Sequence, residues 1–460
     1  MSSAVKDFTK GNTMKQLVLF SAPLFLSNLL QVVYNMVDML IVGDVMGKEG
    51  ISAVTVGGDL SHLLTFIAIG FSNAGQVIIA QYIGGGKREK IGKFIGTMSS
   101  FLFLSAIIIS AVSIYFQDYL LEFMQTPDEA YFSASEYSFI CMLGLVFIYG
   151  YNMVSAVLRG MGDSKHPFIF ISIAAALNVI LDCLFVYNGK GAGGAALATV
   201  ISQGVSFISC AVFLYIKRES FSINCSIKDF LIPDRKMLSE LIKLGVPMAI
   251  KMAAIQFSKL FVNSRINAFG IEYSAFAGIA NKIASISNLI SAAMNTAGST
   301  MVGQNIAAGK EKRVKDVLKS LSVITLSVST LLTAVFFFFG DSIISFFADG
   351  DKDVMRVGEN FFGIAVLLFY ASALRAIMNA LLNGSGNYKV NFATAIFDGI
   401  IMRIGLAVLF GTVLGMGYYG YLLGDAVAGF TPFVIGIVFY VTGIWKRNMP
   451  QYKKEKYLLS

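Results

Sequence analysis

Apolar segments long enough to cross a membrane follow one another along almost the whole chain, and this feature limits the possible folds more than any other. A bilayer core requires roughly 20 consecutive apolar residues per helical span. Only 14% of the 460 residues are charged, whereas ordinary soluble domains contain about 25%. Lipid is therefore expected to surround most of the chain. The twelve segments are 17–43, 54–82, 94–116, 134–158, 167–187, 192–216, 241–270, 274–305, 317–340, 357–383, 388–413 and 416–445.

The length of these segments predicts helices and not strands. A transmembrane β-barrel shows alternating hydrophobicity over about ten residues per strand, whereas these segments are longer and continuously apolar. We therefore predict an all-α polytopic membrane protein with twelve transmembrane helices. The net charge of +8 then reflects loop orientation, and we expect no binding to nucleic acid.

Lys and Arg residues are distributed very unequally between the segments. The two termini and the loops after even-numbered helices hold about 26 of them, and the remaining loops hold about four. Because loops rich in Lys and Arg stay in the cytoplasm, both termini are predicted to be cytoplasmic in a multi-pass protein of the inner or plasma membrane. The basic N-terminus shows no small-residue cleavage site, so the first segment is predicted to be a retained helix.

A repeat relates the two halves of the sequence. The stretch QYIGGGKREKIGK at 81–93 reappears in the second half as QNIAAGKEKRVKD at 304–316. The stretch VLRGMGDSK at 157–165 reappears at almost the same offset as LLNGSGNYK at 381–389. Each match occupies the same place in its half, so the halves are predicted to be homologous.

Pro23 and Pro247 are separated by the same number of residues as the stretches at 157–165 and 381–389. Because six helices, an even number, separate equivalent points, both halves should have the same topology. We predict two homologous six-helix bundles related by a pseudo-two-fold axis along the membrane normal. The expected divisions are an N-lobe at 1–216, a cytoplasmic linker at 217–240, a C-lobe at 241–445 and a cytoplasmic tail at 446–460.

Several of these stretches resemble the multidrug and toxic compound extrusion (MATE) family, in the DinF-like branch of the MOP flippase superfamily. The segment APLFLSNLLQVVYNMVDMLIVG at 22–43 resembles the first helix of that family, including its proline and the Asp38 of the VD pair. The AQYIGGGKREK loop, the RGMGDSK loop and the VP of the second half resemble it too. The resemblance covers nearly the whole chain and implies a twelve-helix, two-lobed exporter that exchanges Na⁺ or H⁺ for drugs and other organic molecules.

Two aspartates interrupt the apolar helices of the first half. A charge at the bilayer centre costs at least about 2.5–3.5 kcal/mol, so such residues are functional candidates. Asp38 in helix 1 and Asp182 in helix 5 each precede the outer end of an outward-running helix by about five residues, which places them at similar depth. Asn35 and Asn178 share the faces of these aspartates, and Thr199 in helix 6 reaches comparable depth.

These side chains offer the oxygen ligands that hard cations take, while two neighbouring carboxylates would also share a proton. The pattern of Asp38, Asn178, Asp182 and Thr199 also resembles the N-lobe cation site of the DinF-like branch. We predict a cation- or proton-coupling site there, which also includes Asn35, and a metal site at the four only if the ion is Na⁺. The alternative is that Asp182 and Asn178 merely pair with polar neighbours.

Charged side chains also lie within the membrane interior of the second half, where six basic ones, away from the segment ends, accompany three acidic ones. Helix 7 has a polar stripe but no glutamate between Pro247 and Gly270, where the NorM-like branch has a functional one, so a second cation site of that type is in doubt. We predict a substrate cavity suited to a carboxylate, a phosphate or another electron-rich group, with internal pairing and snorkelling of the charges at helix ends as the alternative. The predicted cavity residues are Gln256, Lys259, Asn263, Arg265, Lys282, Asp398 and Arg403.

The sequence shows no Walker motif, metal-ligand cluster or nucleophile–base pair. We therefore predict a transporter and not an enzyme, with no catalytic residues and no cofactor besides Na⁺ or H⁺ as coupling ion. We expect a monomer in contact with membrane lipid that exports small organic compounds or drugs by alternating access. The alternative is a flippase for lipid-linked polyprenyl or glycan precursors, which would use a basic cavity for phosphate but often has additional spans.

Overall fold

The computed structural model describes residues 5–221, 223–224 and 226–451, and the regular structure in these ranges is helical. The α-helices, numbered in chain order, are α1 (Thr13–Gly84), α2 (Ile91–Tyr115), α3 (Gln117–Phe123), α4 (Asp128–Leu143), α5 (Leu145–Gly160), α6 (Lys165–Phe185), α7 (Gly191–Ile216), α8 (Ile227–Leu231), α9 (Arg235–Asn267), α10 (Ile271–Ala307), α11 (Glu311–Phe347), α12 (Lys352–Gly358), α13 (Phe361–Gly384), α14 (Tyr388–Ile396), α15 (Arg403–Val408), α16 (Gly417–Ala428) and α17 (Thr431–Val441).

Twelve membrane spans can be counted in the part of the chain that the structure describes. Seven helical stretches are individually long and apolar enough to cross a membrane, and the bent pair α4 and α5 makes eight. Two of the seven are double, because α1 is kinked at Gly47 (φ 61°) and the stretch Lys165–Ile216 is broken at Gly189 (φ 84°). The remaining two are α9 and α10, of 33 and 37 residues, which polar side chains interrupt. The prediction of a twelve-helix polytopic protein is confirmed.

Several helices extend beyond the boundaries expected from hydropathy. α11 begins at Glu311 and ends at Phe347, whereas the apolar segment covers only 317–340. The additional residues at its start include Glu, Lys and Arg, which favour helix formation although their charged groups stay outside the hydrocarbon core. The last span ends at Val441 instead of 445. Beyond it, Trp445 is buried and donates its Nε1–H to the carbonyl of Tyr440 at 3.1 Å.

The sequence repeat is reproduced in the backbone of the two halves. Gly86 and Gly309 have φ values of 70° and 72°, and Gly162 and Gly386 have values of 85° and 67°. This left-handed conformation favours glycine and commonly ends a helix. At all four positions the glycine N–H bonds to the carbonyl three residues earlier, at 2.9–3.1 Å. The repeated loops are therefore equivalent helix ends.

A close helix crossing is repeated as well. A Cβ atom at Gly160 would lie 2.8 Å from the carbonyl oxygen of Gln76, and one at Gly384 would lie 2.8 Å from that of Ser299. Gln76 and Ser299 are themselves related by the offset that pairs the repeated stretches at 81–93 and 304–316. Each half therefore needs a glycine at the same crossing, which explains why these loop sequences match.

The chain divides into two compact units that differ from the predicted divisions. The first contains residues 5–7 and 22–249, and the second contains 8–21 and 250–451. The predicted linker 217–240 belongs to the first unit, because α8 packs on α2: a Cβ at Gly96 would lie 2.6 Å from the backbone of Asp229. Of the predicted tail 446–460, the residues after 451 lie outside the described ranges.

An aromatic cluster holds three helices of the second unit together. Phe276 of α10, Phe336 of α11 and Phe361 and Phe369 of α13 make edge-to-face contacts, with ring centroids 5.1–6.2 Å apart. Each such pair contributes about 0.5–1.5 kcal/mol beyond burial alone. The cluster fixes α10 against α13, and these two helices supply the polar residues described below.

Candidate functional site

Two aspartates predicted to lie at equal depth meet inside the first unit. Asp38 of α1 is 3% exposed and Asp182 of α6 is fully buried. Their carboxyl groups are close enough to interact directly. Within the described residues, Oδ1 of Asp38 and both oxygens of Asp182 have no hydrogen-bond partner. A buried carboxyl pair of this kind needs a proton or a cation between its members, because two adjacent charges repel and neither is hydrated.

Neutral oxygen atoms complete the surroundings of the pair. Asn178, one helical turn before Asp182 on α6, is 2% exposed and donates from Nδ2 to Oγ1 of Thr199 at 3.5 Å. Oδ1 of Asn178 has no partner among the residues described, and the Thr199 hydroxyl lies near Asp38. The structure thus brings together four of the five predicted coupling residues, and four unpartnered oxygen atoms lie among them.

Asn35, the fifth predicted residue, is exposed. Asn35 is three residues before Asp38 and is rotated about 60° from it on the helix, whereas Tyr34, four residues before, is rotated only about 40° to the other side. Tyr34 borders about 200 Å³ of atom-free space, part of it open to the surroundings, together with Asn178, Thr199 and other residues. Residues three or four apart share a helix face, and here the residue four before Asp38, Tyr34, faces the site better than Asn35. The other polar lining residues are Ser202 and Gln203.

The oxygen-only surroundings define what this site can hold. A Na⁺ ion would find ligands in Asp38, Asp182, Asn178 and Thr199, while a proton would be shared by the two carboxyls. Among the described residues there is no group of three or more His, Cys, Asp or Glu side chains suited to a metal ion.

The second unit has a buried ion-pair network instead. Arg403 of α15 is 2% exposed, and its Nη2 lies 3.4 Å from Oδ1 of the fully buried Asp398. Its Nη1 pairs with Oδ1 of Asp425 on α16. Asp398 lies in a π-helical turn, Phe397–Met402, whose wider turns place residues five apart on one face. Part of the basic surplus is therefore paired internally.

Three cationic side chains line one pocket in this unit, which has about 540 Å³ of atom-free space, the part open to the surroundings included. They are Lys259 of α9, Arg375 of α13 and Arg403, and Asp425 lies beside them. A fourth cation, Lys251, donates to Oδ1 of Asn379 at 2.6 Å. Four cations therefore accompany two carboxylates in this cluster.

Two of the lining cations have no carboxylate partner among the described residues. Arg375 donates from Nη2 to Oδ1 of Asn288 at 2.6 Å, and the same oxygen accepts from Ser372 at 3.0 Å. The salt bridges of the cluster join Asp398 and Asp425 to Arg403, and none reaches Arg375 or Lys259 within the ranges described. The pocket therefore has a positive side that this part of the chain does not neutralise.

Several predicted cavity residues lie outside this pocket. Arg265 is exposed over the ring of Phe261 at 5.2 Å, and Lys282 is exposed over the ring of Phe347 at 5.4 Å. The polar stripe predicted on helix 7 covers about half of the helix circumference. A helix packs on its neighbours over a face of nearer 100°, so a single pocket does not receive the whole stripe. Lys259 and Arg403 line the pocket and Asp398 pairs with Arg403 behind it. The residues outside are Gln256, Asn263, Arg265 and Lys282.

Sequence reasoning did not assign Arg375, Asp425, Asn288 and Ser372 to this site. A signal was present, because Ser372 and Arg375 lie one turn apart on α13 and would share a face. What the sequence did not show is that this face meets Lys259 of α9.

The MatE family model matches residues 23–184 and 247–409, one match in each half of the chain. The chain belongs to the MATE family. It is accordingly a multi-pass membrane transporter, and the two matched ranges begin at Pro23 and Pro247, which the sequence repeat had paired.

Individual relatives of this MATE family chain cover almost its full length. It is 29% identical over 444 residues to "Probable multidrug resistance protein YpnP" of Bacillus subtilis strain 168, covering 96% of this chain and 97% of that one. Two solved structures share the fold.

One is a multidrug resistance MATE family transporter of the MOP superfamily in an outward-facing conformation, with a TM-score of 0.86, 21% identity, and coverage of 96% and 98%. The other is a MOP superfamily transporter from Pyrococcus furiosus Vc1 (DSM3638), with a TM-score of 0.86, 22% identity, and coverage of 96% and 99%. That transporter is described as having a binding pocket of reverse polarity that suggests a different function.

Proposed function

We propose that this MATE family chain is a secondary active antiporter of the cytoplasmic membrane. It exports small organic compounds, drugs among them, in exchange for Na⁺ or H⁺ bound between Asp38 and Asp182. The observation that supports this proposal most directly is the buried carboxyl pair, three of whose four oxygen atoms lack donors among the described residues. A relative that covers 96% of the chain is named a probable multidrug resistance protein.

Coupling requires that the ion-bound and ion-free forms of the protein favour different conformations, and the carboxyl pair of Asp38 and Asp182 can produce this difference. When a cation or proton is bound, the pair is partly neutralised and the surrounding helices can pack closely. When the ion leaves, two neighbouring negative charges remain in a medium of low polarity, which favours a conformation that separates or hydrates them. An ion shifts a conformational equilibrium only by its differential affinity for the two states, and a strong shift requires several kcal/mol.

The decisive experiment is transport by the purified chain in proteoliposomes. We expect an imposed Na⁺ or pH gradient to drive movement of at least one compound of a test set that contains cationic ethidium and anionic carboxyfluorescein, and Asp182→Asn to reduce this gradient-driven rate by roughly tenfold or more, because the pair can no longer bind and release its ion. Asp38→Asn should act alike, since both carboxyls form one site.

A matched control exists on the same helix as Asp38. Asp44 is exposed and accepts a hydrogen bond from Tyr187 at 3.1 Å, so Asp44→Asn should transport at the normal rate. If Asp182→Asn transports normally with an unchanged dependence on the gradient, coupling at this pair is excluded.

The flippase alternative makes a different prediction in the same vesicles. A flippase for lipid-linked precursors would move a polyprenyl phosphate between leaflets, with phosphate held by basic side chains such as those of the C-lobe pocket. We favour the antiporter because the buried carboxyl pair of Asp38 and Asp182 supports ion coupling. Lipid movement that survives Asp182→Asn would favour the flippase.

A further inference from the structure

We propose that the pocket lined by Lys259, Arg375 and Arg403 binds the oxyanion of an organic anion, a carboxylate or phosphate, as the exported substrate. This inference rests on the proposed transport function and specifies the chemical class of its substrate. The defining feature is the juxtaposition, on the wall of one pocket, of Lys259 and Arg375, two cations without carboxylate partners among the described residues.

The charge balance of the pocket favours an anion. Lys259, Arg375 and Arg403 carry three positive charges and Asp398 and Asp425 carry two negative ones, so this group keeps a net charge of +1, and Lys251 raises the net charge of the cluster to +2. Charged groups at membrane depth are costly unless they find a partner. Neither Lys259 nor Arg375 has a carboxylate within salt-bridge distance in the described part of the chain. Asp425, which lines the same pocket, pairs with Arg403, and Arg375 bonds to the neutral Oδ1 of Asn288. An anion entering the pocket supplies the missing charge.

Arg375 is already oriented for such a ligand. Oδ1 of Asn288 accepts from Nη2 of Arg375 at 2.6 Å and from the hydroxyl of Ser372 at 3.0 Å. The hydroxyl oxygens of Ser372 and Ser291 lie 2.7 Å apart, so Ser291 can donate to Ser372 while Ser372 donates to Asn288. These contacts fix one edge of the guanidinium plane, and a guanidinium can bind a carboxylate or phosphate through two parallel hydrogen bonds.

The rest of the pocket suits the organic body of the substrate. Small side chains, those of Ala280, Ala284 and Ala371, line it together with Leu368 and Leu422. Such walls leave space and offer apolar contact, while the polar groups select for charge, as in most ligand pockets. The same arrangement disfavours a cationic drug, which would meet a pocket of net positive charge.

A binding measurement on the purified full chain tests this inference without any ion gradient. We expect the fluorescence polarisation of carboxyfluorescein, an aromatic polyanion, to report saturable binding that is tighter than the binding of cationic ethidium. Lys259→Gln and Arg375→Gln should each weaken carboxyfluorescein binding by about tenfold to a hundredfold, the range expected for a lost charged hydrogen bond. Ethidium binding should be unchanged or stronger in both variants.

Controls separate charge in the pocket from general effects on the fold. Lys282→Gln removes a cation of the same unit that lies outside the pocket, and it should bind carboxyfluorescein normally. Lys259→Arg keeps the charge and should retain most of the affinity. Lys259 has no hydrogen-bond partner among the described residues, so its replacement leaves no group unpaired.

Two outcomes would overturn the inference. One is wild-type protein that binds ethidium but not carboxyfluorescein, and the other is unchanged anion binding in both Lys259→Gln and Arg375→Gln. The result is also independent of ion coupling, because Asp182→Asn should bind carboxyfluorescein normally while losing gradient-driven transport. Each proposal can therefore fail while the other stands.

Competition identifies the source of the anion. Phenyl phosphate that displaces carboxyfluorescein would assign the pocket to water-soluble anions, whereas displacement by farnesyl phosphate in detergent alone would assign it to lipid-linked phosphates. Displacement by neither, in protein that binds carboxyfluorescein, would contradict an oxyanion site.

Discussion

The two halves of this MATE family chain share a backbone but hold opposite charges in their interiors. In the described part of the first unit two buried carboxyls meet, and in that of the second four cations accompany two carboxylates. The equivalent glycine crossings at Gly160 and Gly384 show how closely the frames agree. A repeated fold therefore constrains helix crossings and helix ends, while it leaves the side chains inside each bundle free to diverge.

The divergence can be followed along the two proline-containing helices. Counted from Pro23 and Pro247, Asp38 corresponds to the buried Val262, and Lys259 corresponds to the exposed Asn35. Neither charge has a counterpart in the other half. This is the pattern expected when one half binds the coupling cation and the other binds an anionic substrate.

The largest expected effect is on stability, and it should differ between Arg403, whose charge stabilises the fold, and Asp182, whose charge is proposed to couple transport to the ion. Arg403→Met leaves the fully buried Asp398 and its neighbour Asp425 without their cation, and breaking a buried pair typically costs about 3–5 kcal/mol. Asp182→Asn removes one of two facing carboxyls, so it should not lower stability. The measurement is the midpoint of thermal unfolding in detergent.

The exposed Arg265 provides the control, since Arg265→Met should change stability by less than about 0.5 kcal/mol. Adding Asp398→Asn and Asp425→Asn to Arg403→Met should recover much of the lost stability. An Arg403→Met protein as stable as Arg265→Met would mean that the network has no structural role.

A smaller effect should be equal in the two halves. Gly160→Ala and Gly384→Ala each bring a Cβ atom to 2.8 Å from a backbone carbonyl oxygen, and overpacking of this kind costs about 1–3 kcal/mol. Gly363→Ala, at a helical position with open space around it, should be neutral or slightly stabilising. Unequal losses at Gly160 and Gly384 would show that the two crossings are not energetically equivalent.

The smallest effect lies in the connection between the halves. The carboxylate of Asp234 accepts from Lys93 Nζ at 2.8 Å and from the backbone N–H groups of Met237 and Lys236, and these hydrogen bonds lower its pKa to about 2. Because its folded-state pKa is below the usual 3.8, Asp234 stabilises the fold above about pH 4 and loses this contribution as the pH falls towards 2.

Asp234 is partly exposed, so Asp234→Asn should cost no more than about 1 kcal/mol at neutral pH. The difference in unfolding midpoint between wild type and variant should shrink as the pH falls from 7 to 3. The control is Asp353→Asn, which removes a largely exposed pair with Arg356 at 3.7 Å and should change stability by less than about 0.5 kcal/mol at neutral pH. If the difference in unfolding midpoint between wild type and Asp234→Asn is the same at pH 7 and pH 3, the ionised carboxylate of Asp234 does not stabilise the fold.

The sequence predicted those features that one helix or one repeat determines by itself. Apolar length predicted the spans, and the repeat predicted the equivalent loops. Helical depth predicted that Asp38 and Asp182 would meet, because two helices that run in the same direction place equal offsets at equal levels.

Features that depend on which helix faces which were not predictable in this way. Arg375 is an isolated charge in its apolar segment, and only the packing of α13 against α10 brings it to Asn288. Likewise, the π-helical turn at Phe397–Met402 leaves no mark in hydropathy, yet it sets the angle between Asp398 and Arg403. Rotation about a helix axis is a tertiary property, whereas depth is a local one.

The unneutralised charge of the C-lobe pocket also affects how the cycle would use the membrane voltage. Moving one elementary charge across 100 mV changes the free energy by about 2.3 kcal/mol. Exporting a monoanion while admitting one cation moves two positive charges inward, so an inside-negative voltage would supply about 4.6 kcal/mol per cycle at 100 mV. Exchange of a monovalent cationic drug for one cation moves no net charge and gains nothing from the voltage. The polarity of a single pocket would thus decide whether export is electrogenic.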